Sequence, residues 1–323
     1  MRTPAVAVFV ASLAAVSACS DSPKSSAQRG TAEHPFVIGM SQCNLGEPWR
    51  VQMNADVEAA AKAHPELKML FKDAQNDSLT QQAQVREFLD QGIDALIISP
   101  KEAAPLTKPV AEVFAAKIPV IVLDRAVEGD AYTCFIGGDN RLIGAAAGRF
   151  VAESFPSGAK IVELKGLMTS VPGVDRHEGF ASGLGGRKDL EIVFDADMQW
   201  LEDRARKEME SALAAQPKID VVYAHNDPGA HGAWLAAKAA GREHEMKFVG
   251  IDALPHEGVE YVKQGILAAT FQYPTGGKEA IDVALDLLHG KSAPKKIVLS
   301  TRIFTKDNVA AGGTAIGSEA PAK

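Results

Sequence analysis

Pro119-Val120-Ile121-Val122-Leu123-Asp124-Arg125 is a short apolar run, rich in β-branched residues, that ends in an acid beside a base. Such a run reads as a strand buried on both faces, as in parallel sheets covered by helices. A carboxylate and a guanidinium at its tip need partners, either each other or a ligand. Ligands of open α/β sheets bind at the carboxyl ends of strands, which favours the ligand. The same design recurs along the chain. Phe36–Met40, Lys68–Phe71, Ala95–Ser99 and Tyr132–Ile136 are further strand candidates in the first half. Lys160–Leu164, Glu191–Phe194, Val221–Ala224, Phe248–Ile251 and Ala268–Gln272 form a second series. Between them Val51–Ala63, Leu79–Gln91, Leu106–Ala116, Leu142–Glu153, Arg204–Ala215, Ala230–Ala240 and Glu279–His289 have helical spacing. In the second of these, Val85, Phe88, Leu89 and Ile93 form one stripe. Alternation of this kind predicts an α/β protein with parallel, doubly wound sheets, and so many strands divide better into two lobes than one.

Length agrees, since 323 residues exceed the usual ~100–200 of one domain. With 34 Lys and Arg against 41 Asp and Glu the net charge is −7, which disfavours a diffuse grip on nucleic acid or an anionic membrane. The three cysteines, Cys19, Cys43 and Cys134, make no C-x-x-C and no zinc spacing with histidine, so neither a disulfide framework nor a structural metal is expected. Cys43 reads as a small buried apolar residue, and a Cys43–Cys134 bridge is not expected.

The amino terminus is a different kind of sequence. Arg2 is followed by an apolar run from Ala5 to Val16, broken only by Ser12, and then by small residues before Cys19, the pattern of a secretory signal over residues 1–18. The run is shorter than the ~20 residues a spanning helix needs. Val16-Ser17-Ala18-Cys19 resembles the bacterial lipoprotein box, which would make Cys19 the lipidated first residue; an ordinary signal peptide cut nearby is the alternative. The Ser-rich segment that follows, through residue 35, has the composition of a flexible tether.

The strand ends carry the candidate site residues. Glu47, Pro48, Trp49 and Arg50 follow the first strand, offering an aromatic face beside charged groups. A helix start with Pro48 in its first turn and Trp49 packed onto the lobe accounts for them equally well. Asn76 or Asp77 reads as a helix cap. In the second half Asp175-Arg176, Gln199-Trp200, Asn226-Asp227-Pro228, Gly250-Ile251-Asp252 and Phe271-Gln272-Tyr273-Pro274 stand at strand ends or helix starts. Asp227 is placed as a helix cap with Pro228 at the first helical position, which leaves Asn226, Asp252 and Gln272 without a structural explanation.

Leu123-Asp124-Arg125, Gly138-Asp139-Asn140, Glu163-Leu164-Lys165-Gly166 with Asp175-Arg176 and Glu178-Gly179-Phe180, Tyr223 to Asp227, and Gly250-Ile251-Asp252 stand in an order and spacing that resemble one family. From Phe36 to Asn308 the chain resembles the periplasmic monosaccharide-binding proteins of ABC importers, the ribose, galactose and galactofuranose binders. Their type I periplasmic binding fold is shared with the sugar-sensing domain of lac-type repressors. The resemblance implies two doubly wound lobes joined by a three-stranded hinge, with crossings near Asp139, Gln272 and Ser300. The amino-terminal lobe would then hold residues 36–138 and 273–299, the carboxy-terminal lobe 139–272 and 300–312, and 313–323 would be a tail. It implies that Asp124, Arg125, Arg176, Asn226 and Asp252 hydrogen-bond sugar hydroxyls. Glu47, Trp49 and Arg50 would line the first-strand loop, and Trp200 would close the other sugar face. Gln272 would contact ligand, although Phe271-Gln272-Tyr273-Pro274 is spaced differently from the ribose binders.

The function implied is capture of a pentose or hexose, furanose forms included, in a cleft that closes by hinge motion, with delivery to an ABC permease. A monomer without cofactor or metal, in the periplasm or at the cell surface and held to the membrane only through lipidated Cys19, is the expected form. A second reading keeps the sugar and changes the partner to a histidine kinase or chemoreceptor, because Tyr273 to Ala280 also resembles sensors of that kind. A glycoside-acting enzyme would use paired carboxylates such as Asp124 and Asp252. Each acid is expected beside an Arg or amide that keeps it ionised, which argues against general acid chemistry. His256-Glu257-Gly258-Val259-Glu260 lacks the second histidine of a zinc protease helix, and Gly183-Leu184-Gly185-Gly186 does not follow a first strand as a dinucleotide fingerprint would. A repressor would need a helix-turn-helix where the signal sequence stands.

Overall fold

The structure is a computed structural model that describes residues 29–317. The signal peptide, Cys19 and most of the tether lie outside the described residues. Two sheets organise the rest. The first holds β1 (Phe36–Gln42), β2 (Leu67–Asp73), β3 (Ala95–Ser99), β4 (Val120–Leu123), β5 (Cys134–Gly138) and β11 (Lys296–Leu299), in the order β11-β5-β4-β3-β1-β2. All its pairings are parallel. The second holds β6 (Ala159–Lys165), β7 (Leu190–Asp197), β8 (Val221–Ala224), β9 (Lys247–Asp252), β10 (Ala269–Gln272), β12 (Thr301–Thr305) and β13 (Thr314–Ile316), in the order β13-β12-β10-β9-β8-β6-β7. Here β12 pairs antiparallel with both β10 and β13, so this sheet is mixed rather than wholly parallel.

Helices cover both faces of each sheet because the strands are apolar on both sides. Along β4, Val120 and Val122 pack against α2 (Ser78–Asp90) and α3 (Ala103–Ala115), through Phe88 and Val110. Ile121 and Leu123 point the other way, to α1 (Pro48–Lys62) and α9 (Gly277–Leu288), through Met53 and Ile281. Each such fully buried side chain contributes about 1.5–3 kcal/mol of transfer free energy. The second sheet repeats the plan. Ile161, Tyr223 and Val249 face α4 (Asn140–Ser154) and α5 (Val171–Gly183), while Val162, Val222 and Phe248 face α6 (Glu202–Ala215) and α7 (Asp227–Ala239). The short α8 (Gly258–Lys263) precedes β10.

The chain passes between the sheets three times: after β5, after β10, and between β11 and β12 across Ser300. Two expectations need correction. Residues 29–35 are not free tether, because Arg29 pairs with Asp94 and the amide of Gly30 donates to the His34 carbonyl at 2.8 Å. The expected tail contributes β13 to the edge of the second sheet. The region after α9 carries β11 and β12, short half-exposed strands without a clear apolar run. Cys43 and Cys134 are buried free thiols.

Candidate functional site

The carboxyl ends of strands from both sheets converge on one cavity of about 280 Å³ between the lobes. Glu47, Trp49, Arg50, Asp124, Arg125 and Tyr273 line it from the first lobe and the hinge, and Pro172, Arg176, Trp200, Asn226 and Asp252 from the second. Nine of the ten residues expected at the site are therefore brought together. Every one of the nine is at most 7% exposed, so the two lobes enclose the space between them. Gln272 is not among the lining residues. It ends β10, and its carbonyl accepts the hydroxyl of Thr301 in the third crossing. Side chains alternate faces along an extended segment, and it is the next residue, Tyr273, that turns into the cavity.

In the first lobe an ion-pair network fixes the lining. Arg50 Nη1 lies 2.8 Å from Asp124 Oδ2 and donates to Ser99 Oγ at 2.7 Å. Ser99 Oγ donates in turn to Asp124 Oδ2 at 3.1 Å. Arg125 donates to the Lys101 carbonyl at 3.0 Å. Burial on its own would raise the Asp124 carboxyl, but the guanidiniums of Arg50 and Arg125 outweigh it and hold the group below its usual range. Trp49 is pinned by its Nε1–H, which donates to the Tyr273 carbonyl at 2.8 Å, and presents its ring 5.3 Å from that of Tyr273. Asn44 Nδ2 donates to Glu47 Oε1 at 2.8 Å.

In the second lobe Arg176 is the central cation. Its Nε donates to Asn140 Oδ1 at 2.8 Å, its Nη1 donates to the His225 carbonyl, and its guanidinium sits 5.2 Å from the Trp200 ring and 4.7 Å from that of Tyr273. Four glycines allow α4 and α5 to touch backbone to backbone and so place both Asn140 and Arg176. A Cβ at Gly144 would lie 2.4 Å from the Arg176 carbonyl, and one at Gly179 would lie 2.2 Å from that of Arg141; Gly148 and Gly183 continue the same seam. Behind Arg176, buried Glu163 accepts or shares protons with His177 Nδ1 at 2.9 Å and His225 Nε2 at 3.0 Å. Burial opposes its charge, but the two imidazoles prevail and lower it to about 2. His177 is raised by that same hydrogen bond, whereas His225 is lowered by its burial.

Asn226, not Asp227, caps α7: its Oδ1 accepts from the Gly229 amide at 2.9 Å while its Nδ2 donates to the Trp200 carbonyl at 3.0 Å. Asn226 thus takes the capping role expected of Asp227 while still lining the cavity, and Asp227 becomes the first helical residue, wholly buried. Asp252 also departs from expectation. Arg176 Nη1 is 3.9 Å from its Oδ1, too distant to offset burial, so the carboxyl is raised well above its ordinary value.

Two features mark the cavity as a place for a ligand. Arg50 Nε, Arg125 Nε and Trp200 Nε1 are buried donors without a hydrogen-bond partner. Asp124, Trp200 and Asp252 have φ of +68°, +69° and +128°, values that cost about 1–3 kcal/mol each and that persist where a site over-determines them. Fixed carboxylates, guanidiniums and an amide alternate with aromatic faces, an arrangement suited to a small molecule with several hydroxyls and one apolar side. Among the described residues no group of three or more His, Cys, Asp or Glu is placed to hold a metal ion, and no helix is long and apolar enough to cross a membrane.

Comparison with known proteins gives a consistent picture. A family model described as the periplasmic binding protein domain matches residues 38–292. The ribose import binding protein RbsB of Bacillus subtilis (strain 168) is 30% identical over 312 residues, 95% of this chain and 100% of that protein. The fructose-binding periplasmic domain of a hybrid two-component system superposes with a TM-score of 0.83 at 42% identity, over 86% of this chain and 93% of that one. A protein from Mycobacterium smegmatis in complex with β-D-fucofuranose does so with a TM-score of 0.82 at 30% identity, over 86% and 93%.

Proposed function

This chain belongs to the periplasmic binding proteins of type I fold, and from that premise we propose that it captures one monosaccharide between its lobes and delivers it to an ABC importer. The observation that carries the reading is the cavity itself: nine charged, amide or indole side chains, buried and contributed by both lobes, around about 280 Å³. Both lobes enclose the space, as in pockets that bury most of a small ligand's surface. Asp124, Asp252 and Glu47 accept from hydroxyls; Arg50, Arg125, Arg176 and Asn226 donate to them; Trp49 and Trp200 cover the C–H faces. Hydrogen bonds to charged groups are worth about 1.5–3 kcal/mol each, enough for a few of them to select hydroxyl stereochemistry. Gln272 takes no part in this reading.

Lipidation of Cys19 would keep the receptor at the membrane, as the Val16-Ser17-Ala18-Cys19 sequence supports. Presentation of the sugar to a membrane sensor is the second reading, favoured by the 42% identity to the fructose-binding domain of a two-component system. Both share one test of ligand. Thermal unfolding of the purified protein against pentoses, hexoses and furanose-locked derivatives is expected to show one strong hit, since a ligand at a hundred times its dissociation constant stabilises by about 2.7 kcal/mol. No shift with any sugar overturns the proposal. Purified permease that takes up the hit sugar only with this protein present distinguishes import from sensing.

A further inference from the structure

Asp227 is the strand-end acid for which the cavity has no use. Its side chain turns inward among β8, β9 and β10 and is wholly buried. Oδ2 accepts from the Ala253 amide at 2.7 Å, and Oδ1 meets Thr270 Oγ1 at 2.6 Å. The neighbouring backbone is cut to fit this carboxyl: a Cβ at Gly258 would lie 1.8 Å from Oδ2, and one at Gly250 would lie 2.2 Å from Oδ1. Ala253 directly follows the cavity residue Asp252, and the pair has φ of +52° and +128°, a backbone that an L-residue keeps only where something holds it. The hydrogen bond to Asp227 is such a hold. On its other side Asp227 is one peptide bond from the cavity residue Asn226. One carboxyl therefore joins the ends of two strands that supply the site.

We propose that Asp227 is a positioning residue of the ligand site, its carboxyl held between the Ala253 amide and the Thr270 hydroxyl so that Asp252 stays turned into the cavity. The proposal rests on the sugar-receptor reading only for the identity of the ligand. The charges around Asp227 agree with it. Asp252 on β9 and Glu257 before α8 are acids, and Arg176 on α5 is the cation that opposes them. Burial is the largest influence; the hydrogen bonds from Thr270 and Ala253 and the Arg176 charge work against it, and the balance is a carboxyl pushed up to about 8. Two adjacent buried carboxyls avoid ionising together. A second charge beside the raised carboxyl of Asp252 disturbs this hold, so sugar affinity is expected to stay level at lower pH and to fall as Asp227 ionises.

Calorimetric titration of the sugar identified by thermal shift, from about pH 6 to pH 9, tests this. In the native protein the dissociation constant is expected to stay level and then rise towards about tenfold per pH unit above the titration. Asp227→Asn offers an oxygen to Ala253 and an NH₂ to Thr270 without titrating, so it is expected to keep the neutral-pH affinity and to lose the alkaline rise. Asp227→Ala removes both contacts and is expected to weaken binding at least about tenfold. An Asn variant with the native pH slope, or an Ala variant that binds as the native protein does, overturns the proposal. The Asn variant decides alone if the Ala variant does not fold. Carboxyl-carbon NMR of the protein without sugar reads the same group: one aspartate resonance titrating near pH 8 in the native chain and missing from Asp227→Asn is expected. Its absence from the native chain contradicts the proposal, whereas failure of every sugar to bind overturns only the sugar reading.

Discussion

Asp124→Ala separates what the Arg50–Asp124 pair does for the fold from what it does for the ligand. The two side chains are 3% and 4% exposed and lie 2.8 Å apart, with Ser99 sharing the same carboxylate oxygen. Removing the acid leaves the Arg50 cation buried and deprives Ser99 of its acceptor. Breaking a buried pair in this way costs about 3–5 kcal/mol. Against a stability of roughly 5–15 kcal/mol the variant still folds at room temperature, but with a clearly lower melting temperature. The lost charged hydrogen bonds to ligand cost about 1.5–3 kcal/mol each, so affinity falls by at least about tenfold for one bond and more for two. Replacing both partners, Arg50→Met with Asp124→Leu, removes the stranded charge and is expected to recover most of the stability and none of the binding. Thermal unfolding and calorimetry on the three proteins read both effects. Native stability and affinity in Asp124→Ala, or a double variant no more stable than the single one, would refute the reasoning.

The Glu163 cluster gives stability a pH dependence with two arms. His177 has a raised folded value, so its contribution is complete below its ordinary value near 6.5 and is lost as pH rises through the raised one; Glu163, lowered to about 2, contributes above its ordinary 4.5 and loses that contribution as pH falls towards 2. Urea unfolding midpoints across pH are expected to fall at high pH through the His177 arm and at low pH through the Glu163 arm, which buried His225 with its lowered value joins below its ordinary 6.5, and Glu163→Gln is expected to flatten the His177 and Glu163 arms. Gly179→Ala forces a methyl to 2.2 Å from the Arg141 carbonyl, parts α4 from α5, and is expected to lower stability by about 1–3 kcal/mol together with sugar affinity; urea titration and calorimetry check it. Trp200→Phe keeps an aromatic face and removes the unpartnered Nε1–H, and is expected to weaken binding by about 2–10-fold and to diminish the tryptophan fluorescence change on sugar titration.

The sites on strand ends were legible because charge at the tip of a buried apolar run has few explanations, as at Leu123-Asp124-Arg125. Tyr273 was not, since an aromatic before a proline in a crossing segment reads as hinge packing, and its role depends on Asp124 and Asn140 meeting it from two lobes. The exchange between Asn226 and Asp227 has a similar cause. Both residue types cap helices, and only the Gly250 and Gly258 backbone closing around one carboxyl decides which of them turns inward. Asp252 was expected beside an Arg or amide that keeps it ionised, but pairing depends on a separation, 3.9 Å from Arg176, that no spacing encodes. Of the fold, strands apolar on both faces were plain. The short β11, β12 and β13 were missed because their alternating or exposed residues resemble loop.

Calorimetry of the hit monosaccharide beside a disaccharide that contains it tests the central claim most directly, because lining side chains from both lobes, each at most 7% exposed, enclose the proposed sugar site. The account predicts one monosaccharide bound per chain and no heat from the disaccharide. Equal affinity for the disaccharide, or no binding of either, would contradict it.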